Sequence, residues 1–318
     1  MAKDAAWWSG WRDHHIVARL EPGLLTENFV ARGAHGGLGI RDCILKRLHP
    51  PLEANPPLVE SFVDEITAAA RLRHPGIATI HESGCRNGSH YVMRDYVHGL
   101  TARELMLRAR EAGRPLSVGS VLTIVAGAAA ALQHAHEHRR EDGTPAPIVH
   151  RGVAPAKLFI RDDGSVVLID FGLEAAMLAA SRTGAFGEFV LHSTGRLRYL
   201  APEAIKDRPV DPRSDLFALG AVLWELLTGA PLYHRDDGAM ATAMAILQEP
   251  PPLPSLRRDD VPRAVDDIAL RLLAKSPADR FQTAAEVADA VEVAAMLTRA
   301  PLSPSSLGFV VRDLFGER

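Results

Sequence analysis

Cysteine is nearly absent from this 318-residue chain, with only Cys43 and Cys85 present. Two thiols cannot build a disulfide framework or a cysteine zinc site, so a reducing cytosol fits best. Aromatic residues are also sparse, at 6%. Neither sign of charge dominates: 36 Lys and Arg against 39 Asp and Glu give a net charge of −3. Such a balance offers no basic surplus for nucleic acid or an anionic membrane, and neither is expected as a partner. Apolar stretches fall short of the roughly 20 residues that span a bilayer. The start, Met1-Ala-Lys-Asp-Ala-Ala-Trp-Trp, lacks the apolar core of a signal peptide. A cytoplasmic protein without a membrane span is the expectation. What is abundant is ordinary globular material, 47% hydrophobic and 24% charged, enough for one large domain or two modest ones.

Residues 1–14 form a tail holding Trp7, Trp8 and Trp11, three of the four tryptophans. They either dock on the neighbouring part of the fold or anchor a partner, since tryptophan is favoured at binding hot spots. From residue 15, short apolar runs with turn punctuation predict strands at Ile16–Leu20, Asn28–Arg32 and Ile40–Leu48. The turn His35-Gly36-Gly37-Leu38-Gly39 joins the last two. Residues 58–73 carry helical spacing through Leu58, Phe62, Ile66 and Ala69, and His74-Pro75-Gly76 ends the run. Strand-like runs follow near 78–82 and 90–96. After Gly99 the pattern is largely helical, with an apolar helix at 117–138, a short strand at 166–170 and a helix apolar nearly all round at 216–227. Two amphipathic helices near 262–274 and 283–298 precede a tail whose last segment, Leu307–Phe315, is predicted to dock back as a short helix.

The segment His150-Arg151-Gly152-Val153-Ala154-Pro155-Ala156-Lys157-Leu158 is followed by Asp170-Phe171-Gly172, then Ala201-Pro202-Glu203, Asp215 and Arg280. Upstream, Cys43-Ile44-Leu45-Lys46 lies within the Ile40–Leu48 strand, with Glu65 on the next helix. This ordered set resembles the protein kinase family, in a degenerate variant of the bacterial Ser/Thr (Hanks-type) kinases. The resemblance implies an α+β, bilobal fold: a small antiparallel sheet with one helix at 15–95, a large, mainly α-helical lobe at 96–297, and a C-terminal tail at 298–318. It also implies roles. Lys46 would contact ATP phosphates, Glu65 would pair with Lys46, and Asp170 would hold Mg²⁺ if the metal is bound at all. His150, Arg151, Phe171, Gly172, Glu203, Asp215 and Arg280 would hold the architecture, with Glu203 paired to Arg280 and Asp215 capping the central helix while fixing the backbone near His150-Arg151.

The departures concern chemistry. The family's catalytic loop reads His-Arg-Asp-x-Lys-Pro-x-Asn, with Asp as base and Asn as a metal ligand. Here Gly152, Ala154 and Lys157 fill the base, lysine and asparagine positions, and Arg196 replaces a threonine that shares their hydrogen bonds. Glycine carries no proton acceptor, and an ammonium cannot ligate Mg²⁺. Lys157 would instead neutralise Asp170. The phosphate loop, read over Leu20–Asn28, keeps only Gly23 of three glycines; a shifted alignment on Gly33, Gly36, Gly37 and Gly39 is the alternative. Ile44 and Asn28 alter the adenine pocket. Arg94 falls at the gatekeeper position, where it either reaches an acid such as Glu65 or Asp170, or turns to solvent. Ser181, Thr183, Ser193 and Thr194 lie in the activation segment as polar loop residues or phosphoacceptors, with Arg151 as the phosphate's receiver. These features point to a pseudokinase acting as a scaffold or allosteric regulator toward other signalling proteins, such as an active kinase, with ATP binding uncertain and Mg²⁺ weak or absent. An active atypical Ser/Thr kinase and a non-catalytic ATP sensor are the rivals.

Overall fold

Alternation of side chains across a pleat governs the first half of the chain. Strands β1 (His14–Leu20), β2 (Thr26–Ala34), β3 (Ile40–Leu48), β4 (Ile80–Arg86) and β5 (Ser89–Asp95) form an antiparallel sheet in the order β1-β2-β3-β5-β4. In this computed structural model the described residues are 14–34, 40–173 and 195–315. The tryptophans of the tail, the turn at 35–39 and the hydroxyls Ser181, Thr183, Ser193 and Thr194 lie outside them. Phe29, Ala31, Cys43, Leu45, Tyr91 and Met93 make the apolar cluster of one sheet face. Cross-strand pairing of Asn28 with Lys46, Val30 with Ile44, and Ile44 with Arg94 puts these residues together on the other face.

Helix α1 (Pro56–Ala69) starts where Asn55 accepts the Leu58 amide at 3.2 Å and two prolines fill the first turn. Its stripe of Leu58, Phe62, Ile66 and Ala69 is buried against β4 and β5. The helix stops four residues earlier than the periodicity predicts. The Arg73 guanidinium folds back to donate to the Ala70 and Leu72 carbonyls at 2.6 and 2.8 Å, so the end closes before His74-Pro75.

By contact, the chain divides into two compact units. The sheet unit gathers the described residues of Met1–His74, Ala78–Val97 and Asp170–Val190; the helical unit gathers those of Pro75–Ile77, His98–Ile169 and Leu191–Arg318. The architecture is α+β, an antiparallel sheet with one helix in the first unit and a mainly helical second one.

The helical unit contains β6 (Leu100–Thr101), α2 (Ala102–Glu111), α3 (Val118–His136), β7 (Leu158–Ile160), β8 (Val166–Leu168), α4 (Pro202–Ile205), α5 (Pro212–Thr228), α6 (Ala239–Gln248), α7 (Arg263–Leu272), α8 (Ala284–Leu297) and α9 (Pro304–Phe315). Helix α3 is long and apolar enough by composition to cross a membrane, but two thirds of its apolar window is buried, where it packs against α5, α8 and β8. Every residue of α5 from Ser214 to Leu227 is buried, as its all-round apolarity predicts.

The predicted C-terminal helix is α9, and it docks on α2 and α3. Its seat is made by two glycines. Gly164, in the β7–β8 turn at φ +82°, leaves no room for a Cβ, which would sit 1.7 Å from the Pro304 carbonyl oxygen; one on Gly308 would sit 2.4 Å from the Asp162 oxygen. Ser303 donates its amide to Thr123 Oγ1 at 3.1 Å, and Arg114 pairs with Asp313 at 2.7 Å.

Candidate functional site

In the sheet unit, the strand register decides which side chains meet. Ile44 and Lys46 share a face of β3, and Arg94 lies on the same face of β5 opposite Ile44. Lys46 Nζ stands 2.8 Å from Asp170 Oδ1, and Arg94 Nε stands 3.1 Å from the same oxygen. All three side chains are buried, at 9%, 9% and 1% exposure for Lys46, Arg94 and Asp170. Arg94 therefore takes the first of its two alternatives, an acidic partner rather than solvent. Its Nη1 also donates to the Asp95 carbonyl at 2.9 Å, which fixes the guanidinium plane. Asp95 is itself held by the Thr79 amide at 2.9 Å and the His81 ring at 2.6 Å. Burial works against ionising this carboxyl, yet the His81 and Thr79 bonds prevail and keep it below the usual carboxylate range.

The triplet Asp170-Phe171-Gly172 packs with the sheet unit although it lies far along the chain. Asp170 adopts φ +70°, a left-handed conformation that costs a non-glycine residue energy. Phe171 is buried. Gly172, at φ +83°, approaches α1 so closely that a Cβ would lie 2.7 Å from the Glu65 carbonyl oxygen. Glu65 thus meets the triplet through its backbone, and its side chain is half-buried on α1.

Gly23 lies in the β1–β2 turn, where its amide donates to the Thr26 carbonyl at 2.7 Å. Asn28 Nδ2 donates to the Glu21 carbonyl at 2.8 Å, Thr26 Oγ1 donates to Asn28 Oδ1 at 2.9 Å, and the His49 ring reaches the Gly23 carbonyl at 2.8 Å. The turn is a latch closed by its own side chains, and the Gly23 amide is spent inside it. Asn28, legible in the sequence only as a lost adenine contact, supplies that latch.

In the helical unit, the loop from His150 is fixed by one carboxylate. Asp215 accepts the His150 amide at 2.8 Å, the Arg151 amide at 2.7 Å and His136 Nε2 at 2.9 Å. The sequence reading needs one correction: the cap of α5 is Asp211, which accepts the Arg213 amide at 2.8 Å, and Asp215 sits in the first turn of the helix. Being one turn in, Asp215 is free to serve the loop. Gly152 donates its amide to His150 Nδ1 at 3.2 Å, which leaves Nε2 as the ring's donor to the Ile169 carbonyl at 2.9 Å. Ala154 precedes a single 3₁₀ turn, Pro155–Lys157, and the half-buried Lys157 ends it.

Glu203 and Arg280 form a bidentate pair at 2.7 and 2.8 Å, and Ser214 Oγ adds a third bond to Glu203 at 2.7 Å. Arg280 also donates to the carbonyls of Ala274, Arg213 and Lys275. Burial raises the proton affinity of Glu203, but the Arg280 fork and Ser214 outweigh it and hold the carboxyl below its usual range. Further along α5, Glu225 accepts from the Tyr199 hydroxyl at 2.6 Å, a contact that no motif announces. Here burial dominates and pushes the Glu225 carboxyl up.

These frames match the protein kinase domain, whose family profile covers residues 45–291. The chain belongs to the protein kinase family. It is 35% identical over 311 residues to the tyrosine-protein kinase MasK of Myxococcus xanthus, covering 95% of this chain and 46% of that protein. It is 34% identical over 258 residues to the serine/threonine-protein kinase PknB of Mycolicibacterium smegmatis, covering 80% and 39%. This kinase-family chain thus spans less than half the length of these relatives. Among solved structures, the PknI kinase domain of Mycobacterium tuberculosis superposes with a TM-score of 0.67 at 30% identity, covering 90% of this chain and 96% of that one. Kinases of this family use ATP and Mg²⁺ to transfer a phosphoryl group, largely by positioning and charge stabilisation.

Proposed function

We propose that this chain is a pseudokinase: a protein kinase domain with little or no phosphotransfer that acts as a scaffold or allosteric regulator in bacterial signalling. The carrying observation is the loop at 150–157. Its frame is intact, held by Asp215 and by the His150 ring, yet the residue it presents at the base position is Gly152, which can accept no proton through a side chain. A missing general base costs about 10²–10⁴-fold. Ala154 and Lys157 remove the neighbouring catalytic groups as well. Neither family metal position fits a divalent ion: Lys157 brings a positive charge where a ligand oxygen is needed, and Asp170 already carries two cations.

What remains is a folded surface, so its targets are other signalling proteins, an active kinase among them, in the cytoplasm. The buried Lys46–Asp170 pair supports a second reading, a sensor that binds ATP without turning it over. An active atypical kinase is the rival, and relatives named for both tyrosine and serine/threonine specificity leave its substrate open. Two measurements separate the three. Radiolabelled phosphotransfer to the chain itself or to a general protein substrate, with Asp170→Ala as control, is expected to give no Asp170-dependent signal; such a signal would sink the pseudokinase. ATP binding across Mg²⁺ concentrations then distinguishes sensor from scaffold.

A further inference from the structure

We infer that Arg94 is a built-in counter-ion that takes the place of a divalent metal at Asp170, so that Asp170 serves charge neutralisation inside the protein and admits no Mg²⁺. The inference deepens the proposal above and rests on its reading of the site.

Three observations support it. First, Arg94 Nε and Lys46 Nζ converge on one oxygen, Asp170 Oδ1, at 3.1 and 2.8 Å. Two fixed positive charges at that distance repel an incoming dication, which would share the same carboxylate. Second, the arginine is held in place rather than swinging freely. Its Nη1 bond to the Asp95 carbonyl anchors it, and the Asp95 side chain is tied in turn to Thr79 and His81. Third, the guanidinium is a rigid planar fork, so one side chain can hold Asp170 Oδ1 through Nε and the Asp95 carbonyl through Nη1 at once. A buried guanidinium is costly unless well paired. An apolar side chain at residue 94 would fit a sheet face that already carries Val30, Ile44 and Val92. The arginine is therefore explained by the carboxylate it meets and not by packing.

The test locates the metal directly. Fe²⁺, standing in for Mg²⁺, cleaves backbone next to its binding site in the presence of ascorbate and peroxide, and the fragments are mapped by mass spectrometry. Mn²⁺ affinity is measured in parallel from the free-ion EPR signal, with and without ATP. For the native chain we expect no cleavage within a few residues of Asp170. In Arg94→Met, cleavage appears there and Mn²⁺ affinity rises by about tenfold or more, since one of two repelling charges is gone. If circular dichroism shows that Arg94→Met does not fold, Arg94→Gln takes its place. Cleavage beside Asp170 in the native chain overturns the inference, as does a folded Arg94 variant that gains neither cleavage nor affinity. Metal at Asp170 without phosphotransfer would refute only this inference, whereas Asp170-dependent phosphotransfer would refute the pseudokinase reading itself.

Discussion

Replacing Arg280 by methionine isolates a buried, bidentate charge pair in the helical unit. The guanidinium has 0% exposure and spends five donor contacts, two on Glu203 and three on the carbonyls of Ala274, Arg213 and Lys275. Methionine refills most of the aliphatic volume but supplies none of these bonds. Glu203, with a side chain 9% exposed, would keep Ser214 as its side-chain donor. Removing one partner of a buried pair costs about 3–5 kcal/mol, because the other is left charged and desolvated. The released carbonyls of Ala274 and Lys275 add a smaller loss, which the apolar methionine partly offsets. A loss of about 4 kcal/mol is then expected, against typical totals of about 5–15 kcal/mol. Urea unfolding followed by circular dichroism would show it as a fall in midpoint of about 1–2 M. The loss should depend on pH. Glu203 has a depressed pKa in the native chain, so its contribution is full above the unfolded value near 4.3 and fades as pH falls through the lower folded value. The gap between native and Arg280→Met therefore narrows in acid. A loss below about 1 kcal/mol, or a gap that does not narrow, would show that Glu203 does not depend on Arg280.

Asp215→Asn leaves one acceptor oxygen where three donors converge, and should cost about 2–4 kcal/mol. Amide exchange at His150 and Arg151 should quicken, and unchanged exchange would mean that the carboxylate does not hold the loop. Asn28→Ala opens the β1–β2 latch at a cost of about 1 kcal/mol, and faster exchange of the Gly23 amide is the signature to seek by NMR. Lys275, between Tyr233 and the Ile246 carbonyl, has its pKa lowered by burial to about 8. Between that value and about 10.4 the unfolded chain binds more protons than the folded one, so stability rises with pH there. Native chain measured against Lys275→Met should gain over this interval; a flat difference would show that the ammonium is not desolvated.

Residue spacing foretold most of this architecture because the motifs are local. The strands, α1, α3, α5 and the docking of α9 follow from periodicity and turn residues, and the Glu203–Arg280 pair follows from family spacing. Helix α2 lies in a stretch that reads only as largely helical, although the signal for its own start is present. Thr101 and Glu104 form a capping box, a pattern readable as Thr-x-x-Glu before an apolar run. Arg94 shows where sequence runs out: two destinations were open, and only the cross-strand register with Ile44 aims its side chain toward Asp170. Asn28 shows the same limit. Its partners, Glu21 and Thr26, are close in sequence, but a closed turn and an open one have the same composition. Sequence alone places Asp215 at the right backbone but at the wrong helix position, since Asp211 and Asp215 look alike until the start of α5 is known.

The seat of α9 bears on how this domain can be cut. The family profile ends at residue 291, inside α8, whereas Gly164 and Gly308 bring the β7–β8 turn and α9 into backbone contact with no side chain between them. A surface made of bare main chain has no other ready cover, and its carbonyls are shaped to one neighbour. A fragment trimmed to the family boundary would expose that seam to solvent or to another copy's edge. For expression, labelling or fusion, a boundary placed after Phe315 keeps that seam covered.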